Sequence, residues 1–249
     1  GASPTSKPLR NYLAEAGGRQ FLVDPAGGWR EATFTATDLV VADETRLASA
    51  LASALDREAG PYAARLAEAE SIYWEHIEGK EPAEGAVLAD VARLAPDPAT
   101  LFVSNSMPIR DLDRFGKPRA VALTVLGNRG ASGIDGITST ALGAGYGTTD
   151  PLVLVTGDLA YYHDMNGLLA VARAGVDATI VCLNNDGGGI FHLLPIEDHD
   201  SFGEWFRTPH GLDFAPSADL YDLAFARIGA SFATCTVNHS GAREPGLSR

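Results

Sequence analysis

Asp158 and Asn185 are the residues of this 249-residue chain best placed to do chemistry. Asp158 follows Gly157 just past the apolar run Leu152–Val155. Asn185 follows Asn184 after the apolar run Ala178–Leu183, and leads into Asp186 and the glycines 187–189. One carboxylate and one amide oxygen, with the backbone carbonyl of Gly187 as a third donor, are too few to enclose a cation. They suit Mg²⁺, or Mn²⁺ in its place, which keeps waters and takes its remaining oxygens from a substrate's phosphates. Glycine after Asn185 would let backbone groups approach a diphosphate closely. The plainer alternative is that Asp158 caps a helix and Asn185 makes a turn.

A second group is Ser106, Arg110 and Arg129, which follow two earlier apolar runs. Two guanidinium forks at one place suit a ligand with several carboxylates. Taken alone, Arg110 could equally pair with Asp111 or Asp113 at the surface. Ile190, Phe191 and Leu194, after the glycines, form either an apolar wall or ordinary core. His163 and His210, one near a helix start and one in a loop, are read as structural.

The elements that must position these residues follow from periodicity. Leu152–Val155 and Ala178–Leu183 have the length and β-branched content of buried strands, and Met165, Leu168, Leu169 and Ala172 between them keep helical spacing. A strand–helix–strand unit is a parallel crossover, so both strand ends lie on one sheet edge and Asp158 meets Asn185 there. Leu101–Val103 begins the sheet, Ala120–Leu126 is its next strand, and 136–146 is a helix rich in small residues. Ser217–Ile228 reads as a helix and Ser231–Val237 as a strand. This alternation after residue 96 predicts an α/β domain with a doubly wound, mostly parallel sheet over 96–237. Before it, 1–57 reads as a small unit with short runs at 21–25 and 38–43, a turn at 26–28 and a helix at 45–57, the end of a middle α/β domain. Two linking helices, Tyr62–Ile77 and Ala83–Leu94, occupy 58–95, and Trp74 is read as packing. The tail 238–249 has neither helical period nor strand pattern and reads as truncated or disordered.

The stretch from Gly157-Asp158-Leu159, through twenty-four residues, to Asn184-Asn185 is similar to the motif of thiamine-diphosphate enzymes, with Leu159 in place of its third glycine. The words SNSMPIRDLD, NRGASGIDGITSTALGAG, GDLAYYHDMNGL, NNDGGGIFHLLP and TPHGLDF resemble, from about Leu88 to Phe214, the C-terminal part of the 2-succinyl-5-enolpyruvyl-6-hydroxy-3-cyclohexene-1-carboxylate synthases of menaquinone biosynthesis. The resemblance implies a transferase that uses thiamine diphosphate and Mg²⁺, decarboxylates 2-oxoglutarate and adds the resulting unit to isochorismate. It implies Asp158, Asn185 and Gly187 as metal ligands, and Asn105, Ser132, Ile134, Gly157, Asp158, Leu159 and Asn185 as cofactor contacts, with Ile134 bending the cofactor. Ser106, Arg110, Arg129, Ile190, Phe191 and Leu194 would contact substrate. The activating glutamate of the family lies on a pyrimidine-binding domain that no stretch here resembles. The chain is therefore expected to be a C-terminal fragment of a homo-oligomeric enzyme, inactive alone. The other readings are a non-catalytic cofactor-binding module and a different thiamine-diphosphate 2-oxo acid decarboxylase.

Composition narrows the classes. The net charge of −13 argues against a nucleic-acid surface. No apolar run approaches the ~20 residues of a membrane span. Cys182 and Cys235, both in apolar runs, read as reduced core residues of a cytoplasmic protein. The first residues show no signal-peptide core and are read as a cloning scar. No repeat is present, and no Gly-x-Gly-x-x-Gly follows a first strand, which disfavours a dinucleotide enzyme.

Overall fold

The computed structural model describes residues 4–58 and 60–228. The strand expected at Ser231–Val237, Cys235, the tail 238–249 and the first three residues lie outside the described residues. The chain divides into two compact units between Lys80 and Glu81.

The first unit is held by local bonding more than by burial. Helix α1 (Lys7–Glu15) starts at Ser6, whose hydroxyl accepts the N–H of Leu9. Two short parallel strands, β1 (Phe21–Val23) and β2 (Asp38–Val40), pair in register. After β1 the buried carboxylate of Asp24 accepts the N–H groups of Ala26 and Gly28, which fixes the turn. Helix α2 (Glu44–Ala54) is capped by Asp43 through the N–H of Arg46. Helix α3 (Pro61–Ile77) opens on a proline, where the missing N–H costs nothing. None of these three helices has a fully buried residue. On α3, Trp74 meets Tyr73 edge to face and donates to Glu70.

The second unit is a parallel sheet with helices on both faces. Helix α4 (Ala83–Leu94) precedes β3 (Ala99–Val103), α5 (Met107–Phe115), β4 (Leu123–Leu126), α6 (Ile137–Tyr146), β5 (Leu152–Gly157), α7 (Asp158–His163), α8 (Leu169–Ala174), β6 (Ala178–Leu183) and α9 (Ala215–Leu220). The strand order is β4-β3-β5-β6, every pair parallel. Alternation along the strands separates two cores. Phe102, Leu152, Leu154, Ile180 and Cys182 face Ile137, Leu142, Tyr161, Leu168 and Val171 on one side. Leu101, Val103, Val153, Val155 and Leu183 face Leu88 on the other, with Val91 of α4 and Ile109 and Leu112 of α5 beside it. This is the doubly wound α/β arrangement predicted from the alternation.

Several elements differ from the sequence reading. The helices of 58–95 do not form one linking segment. Pro61–Ile77 belongs to the first unit, while Ala83–Leu94 belongs to the second and buries Leu88 against its sheet. The strand expected from Ala120 begins only at Leu123, because the N–H of Ala122 is taken by the Asp97 carboxylate. The single helix expected around Met165 is broken. Gly167 sits where a side chain would collide with Ser139, and Asp164 turns aside to accept the N–H and hydroxyl of Ser139 on α6. The helix expected to reach Ile228 ends at Leu220, where Asp222 adopts a left-handed backbone. Helix α5 has no counterpart in the sequence reading, although Ile109, Leu112 and Phe115 keep helical spacing and face the core.

Candidate functional site

Parallel pairing puts the ends of all four strands on one edge. Phe102 is level with Leu126, Val103 with Val155, and Gly157 with Leu183. The order β4-β3-β5-β6 reverses direction between β3 and β5, so the crevice outside their carboxyl ends is where such a sheet takes ligands.

Asp158 emerges from β5 as the first residue of α7 and is 3% exposed. Its Oδ1 accepts the N–H of Leu159 at 2.7 Å, so the helix-starting role and the edge position coexist. Its Oδ2 accepts the N–H of Gly187 at 2.9 Å, which ties the loop after β6 to the end of β5. The same Oδ2 lies 3.2 Å from Nε2 of His210. Leu212 donates its N–H to Nδ1 of that ring at 2.9 Å, so the proton sits on Nε2 and points at Asp158. Gly187 has φ +131°, and a Cβ there would collide with the carbonyl oxygen of Arg207. Only glycine fits this place.

The loop after β6 is shaped by its own polar groups. Asn184 Oδ1 accepts the N–H of Asp186. Asp186 in turn accepts the N–H groups of His210 and Gly211 at 3.0 and 2.7 Å, and those bonds hold its carboxyl below the usual carboxylate range. Asn185 donates Nδ2 to Oε1 of Glu84 on α4 at 2.9 Å, while its Oδ1 is buried without a hydrogen-bond partner. The carbonyl of Gly187 accepts from Gly189 at 3.0 Å and keeps a second lone pair. A carboxylate, an unpartnered amide oxygen and a carbonyl thus fit a hard cation that brings its own waters and phosphate oxygens. Among the described residues no cluster of three or more His, Cys, Asp and Glu side chains could hold a metal, which leaves no alternative cage of that kind.

The second group gathers around the loop after β4. Asn105, 1% exposed, donates Nδ2 to the carbonyls of Asn128 and Gly133 at 2.8 and 2.6 Å. Its Oδ1 accepts from Arg129 at 2.5 Å. Asn105 therefore spends its amide on the loop and positions Arg129. Arg110 donates to the carbonyl of Ser106 at 2.6 Å. Ser106 itself has φ +71°, ψ −131°, a costly backbone for a non-glycine residue and one that recurs at functional sites. Ser132 also has a positive φ and is exposed, and Ile134 packs on the core beside α6. Gly157 has open space where a Cβ would go, and Leu159 is partly buried. Phe191 meets Phe206 edge to face, Ile190 is half-buried and Leu194 is 49% exposed, so these three form a rim more than a core. His163 stays at the surface, 3.6 Å from Asp135.

Two residues reach this edge without a sequence signal that places them there. His210, read as structural from its loop position, holds Asp158. Glu84 drew no attention, since nothing in its sequence spacing connects it to Asn185, 101 residues on. Behind Glu84 lies Asp111, 1% exposed with Oδ2 unpartnered. Desolvation first, and the charge of Glu84 second, raise its carboxyl to about 6.

Residues 116–243, just over half of the chain, match the family "Thiamine pyrophosphate enzyme, C-terminal TPP binding domain". The chain is 78% identical over 227 residues to the 2-succinyl-5-enolpyruvyl-6-hydroxy-3-cyclohexene-1-carboxylate synthase of Natronomonas pharaonis, covering 91% of this chain and 39% of that protein. It is 66% identical to the protein of that name from Haloarcula marismortui and 61% identical to that from Halobacterium salinarum, over 92% and 91% of this chain and 39% and 40% of theirs. The chain thus spans about two fifths of the length of the curated relatives it matches. It belongs to the thiamine pyrophosphate enzymes and carries their C-terminal TPP-binding domain.

Proposed function

We propose that this chain is the diphosphate- and substrate-binding part of a 2-succinyl-5-enolpyruvyl-6-hydroxy-3-cyclohexene-1-carboxylate synthase. That enzyme would decarboxylate 2-oxoglutarate and join the product to isochorismate in menaquinone biosynthesis. The observation that carries the reading is the buried, unpartnered Oδ1 of Asn185 beside the strand end where Gly187 is tied to Asp158. Asp158, Asn185 and the Gly187 carbonyl would hold Mg²⁺, or Mn²⁺ in its place, against the cofactor's diphosphate. Thiamine diphosphate, when bound, supplies a nucleophilic carbon and the electron sink that decarboxylation needs. The chain's own residues do the rest of the work at this edge. Gly157 leaves open space for the diphosphate and Ile134 supplies a firm aliphatic prop packed on the core. Arg129, oriented by Asn105, and Arg110, held by the Ser106 carbonyl, would bind and orient the substrate carboxylates as charge-assisted forks. Ile190, Phe191 and Leu194 would keep water from the reacting carbon. No described helix is long and apolar enough to cross a membrane. The free, buried thiol of Cys182 fits a reducing, cytoplasmic setting, and the enzyme would be a homo-oligomer as the resemblance implies.

A chimera tests this. The matching stretch of the Natronomonas pharaonis relative is replaced by this chain, and carbon dioxide release from 2-oxoglutarate is followed with isochorismate present. The reading expects release coupled to isochorismate consumption, and its loss in Asp158→Ala. Release from another 2-oxo acid with no use of isochorismate would overturn the substrate assignment.

A further inference from the structure

Helix α4 approaches α5 closely because residue 85 is glycine: a Cβ there would stand 2.5 Å from the Phe115 ring. That approach, with Leu88 sealed in the core, brings the first turn of α4 to the carboxyl edge of the sheet. Glu84 then meets Asn185 at 2.9 Å. A carboxylate can only accept hydrogen bonds, so the amide that faces it must present nitrogen. The Asn185 oxygen is thereby turned the other way, and it is this atom that is buried without a partner.

We propose that Glu84 is the positioning residue of the cation site, fixing the amide of Asn185 so that its oxygen, and not its nitrogen, faces the ligand. The role rests on the reading of Asn185 as a metal ligand. Without Glu84 the amide can rotate by half a turn, presenting N–H groups that repel a cation. Groups that orient a ligand in this way act on affinity through geometry, one step removed from the ion.

Three variants of the chain separate this role from mere charge. Glu84→Asp keeps the charge but is one methylene too short to reach; Glu84→Gln keeps the reach without the charge; Glu84→Ala removes both. Mn²⁺ is titrated into each in the presence of thiamine diphosphate, and free Mn²⁺ is read by electron paramagnetic resonance. The side-chain amide protons of Asn185 are followed by NMR without metal. The expected result is a loss of Mn²⁺ affinity of about tenfold in Glu84→Asp, with unchanged melting and with loss of a downfield-shifted Asn185 amide signal. Wild-type affinity in Glu84→Asp, whether or not Glu84→Gln weakens binding, means that charge or nothing is at work and overturns the proposal. An unshifted Asn185 amide in the wild-type chain overturns it equally, with no metal involved. If the wild-type chain takes up no Mn²⁺ at millimolar concentration, the metal reading itself fails and the proposal falls with it.

Discussion

Asp158 and Asn185 were legible in the sequence because each stands just past the end of a buried strand, where chain topology alone fixes its place. Gly187 was legible for the same reason, and the structure adds why it must be glycine: the Arg207 carbonyl occupies the space of any side chain. Glu84 and His210 were not legible, since their partners lie 101 and 52 residues away and are set by how helices and loops approach the edge. Asn105, which the resemblance implies as a cofactor contact, gives its hydrogen bonds here to the loop carbonyls and to Arg129. Asp111 allows a prediction at this scale. Burial raises its carboxyl to about 6, above the ~4 of an unfolded chain, so ionisation costs the folded state as pH climbs through that window. Asp111→Asn keeps the shape without the charge. It should stabilise the chain by on the order of 2 kcal/mol at pH 8 and change little at about pH 3, below both the folded and the unfolded pKa, where the carboxyl is mostly protonated in both states. Urea melts at the two pH values check this, and an equal effect at both would show that Asp111 is not held at the cost described.

At the scale of elements, the strands around the edge were read well because their apolar runs are long and flanked by glycine or asparagine. Ala178–Leu183 and Ala83–Leu94 have the bounds expected of them. Helix α5 is absent from the sequence reading although Ile109, Leu112 and Phe115 recur at helical spacing; the stretch is weighed there for Ser106 and Arg110 and not for its period. Helix α9 proved short because a left-handed Asp222, not composition, ends it. What binds α9 to the site is a buried polar link. Ser217 donates its hydroxyl to the Phe214 carbonyl at 2.6 Å, so the Tyr161 hydroxyl must donate to Ser217, 2.8 Å away. Phe214 lies edge to face with Tyr161 at 5.2 Å and tilts against His210 at 5.7 Å, which carries the packing from α7 to the Asp158 partner. Tyr161→Phe keeps the ring and deletes one buried bond. It should cost about 1 kcal/mol, since an acceptor is left unpaired. Calorimetry should show the melting temperature fall by about 2–4 °C. A loss several times larger would mean that the ring, not the hydroxyl, had moved.

For the whole molecule, the two units differ in what holds them. The second has two cores of fully buried aliphatic side chains on either side of its sheet. The first has three helices with no fully buried residue and a sheet of two three-residue strands. The sequence foretold a small unit before the main domain. It kept 58–95 apart as a linking segment, whereas α3 belongs with the first unit and α4, through buried Leu88, with the second. Opening free energy follows buried apolar contact, so hydrogen exchange should be uneven. Amides of β3, β5 and β6 should exchange at least a hundredfold more slowly than those of α2 and α3; mass spectrometry of peptides from each unit checks this. Uniform protection would contradict the two-unit description. The central claim, that the carboxyl edge holds a diphosphate through a cation on Asp158 and Asn185, is tested most directly by isothermal titration of thiamine diphosphate into the purified chain with excess Mg²⁺, beside Asp158→Ala. The account predicts saturable heat that requires Mg²⁺ and disappears in the variant. Heat that persists without Mg²⁺ or in Asp158→Ala, or no binding at millimolar cofactor, would contradict it.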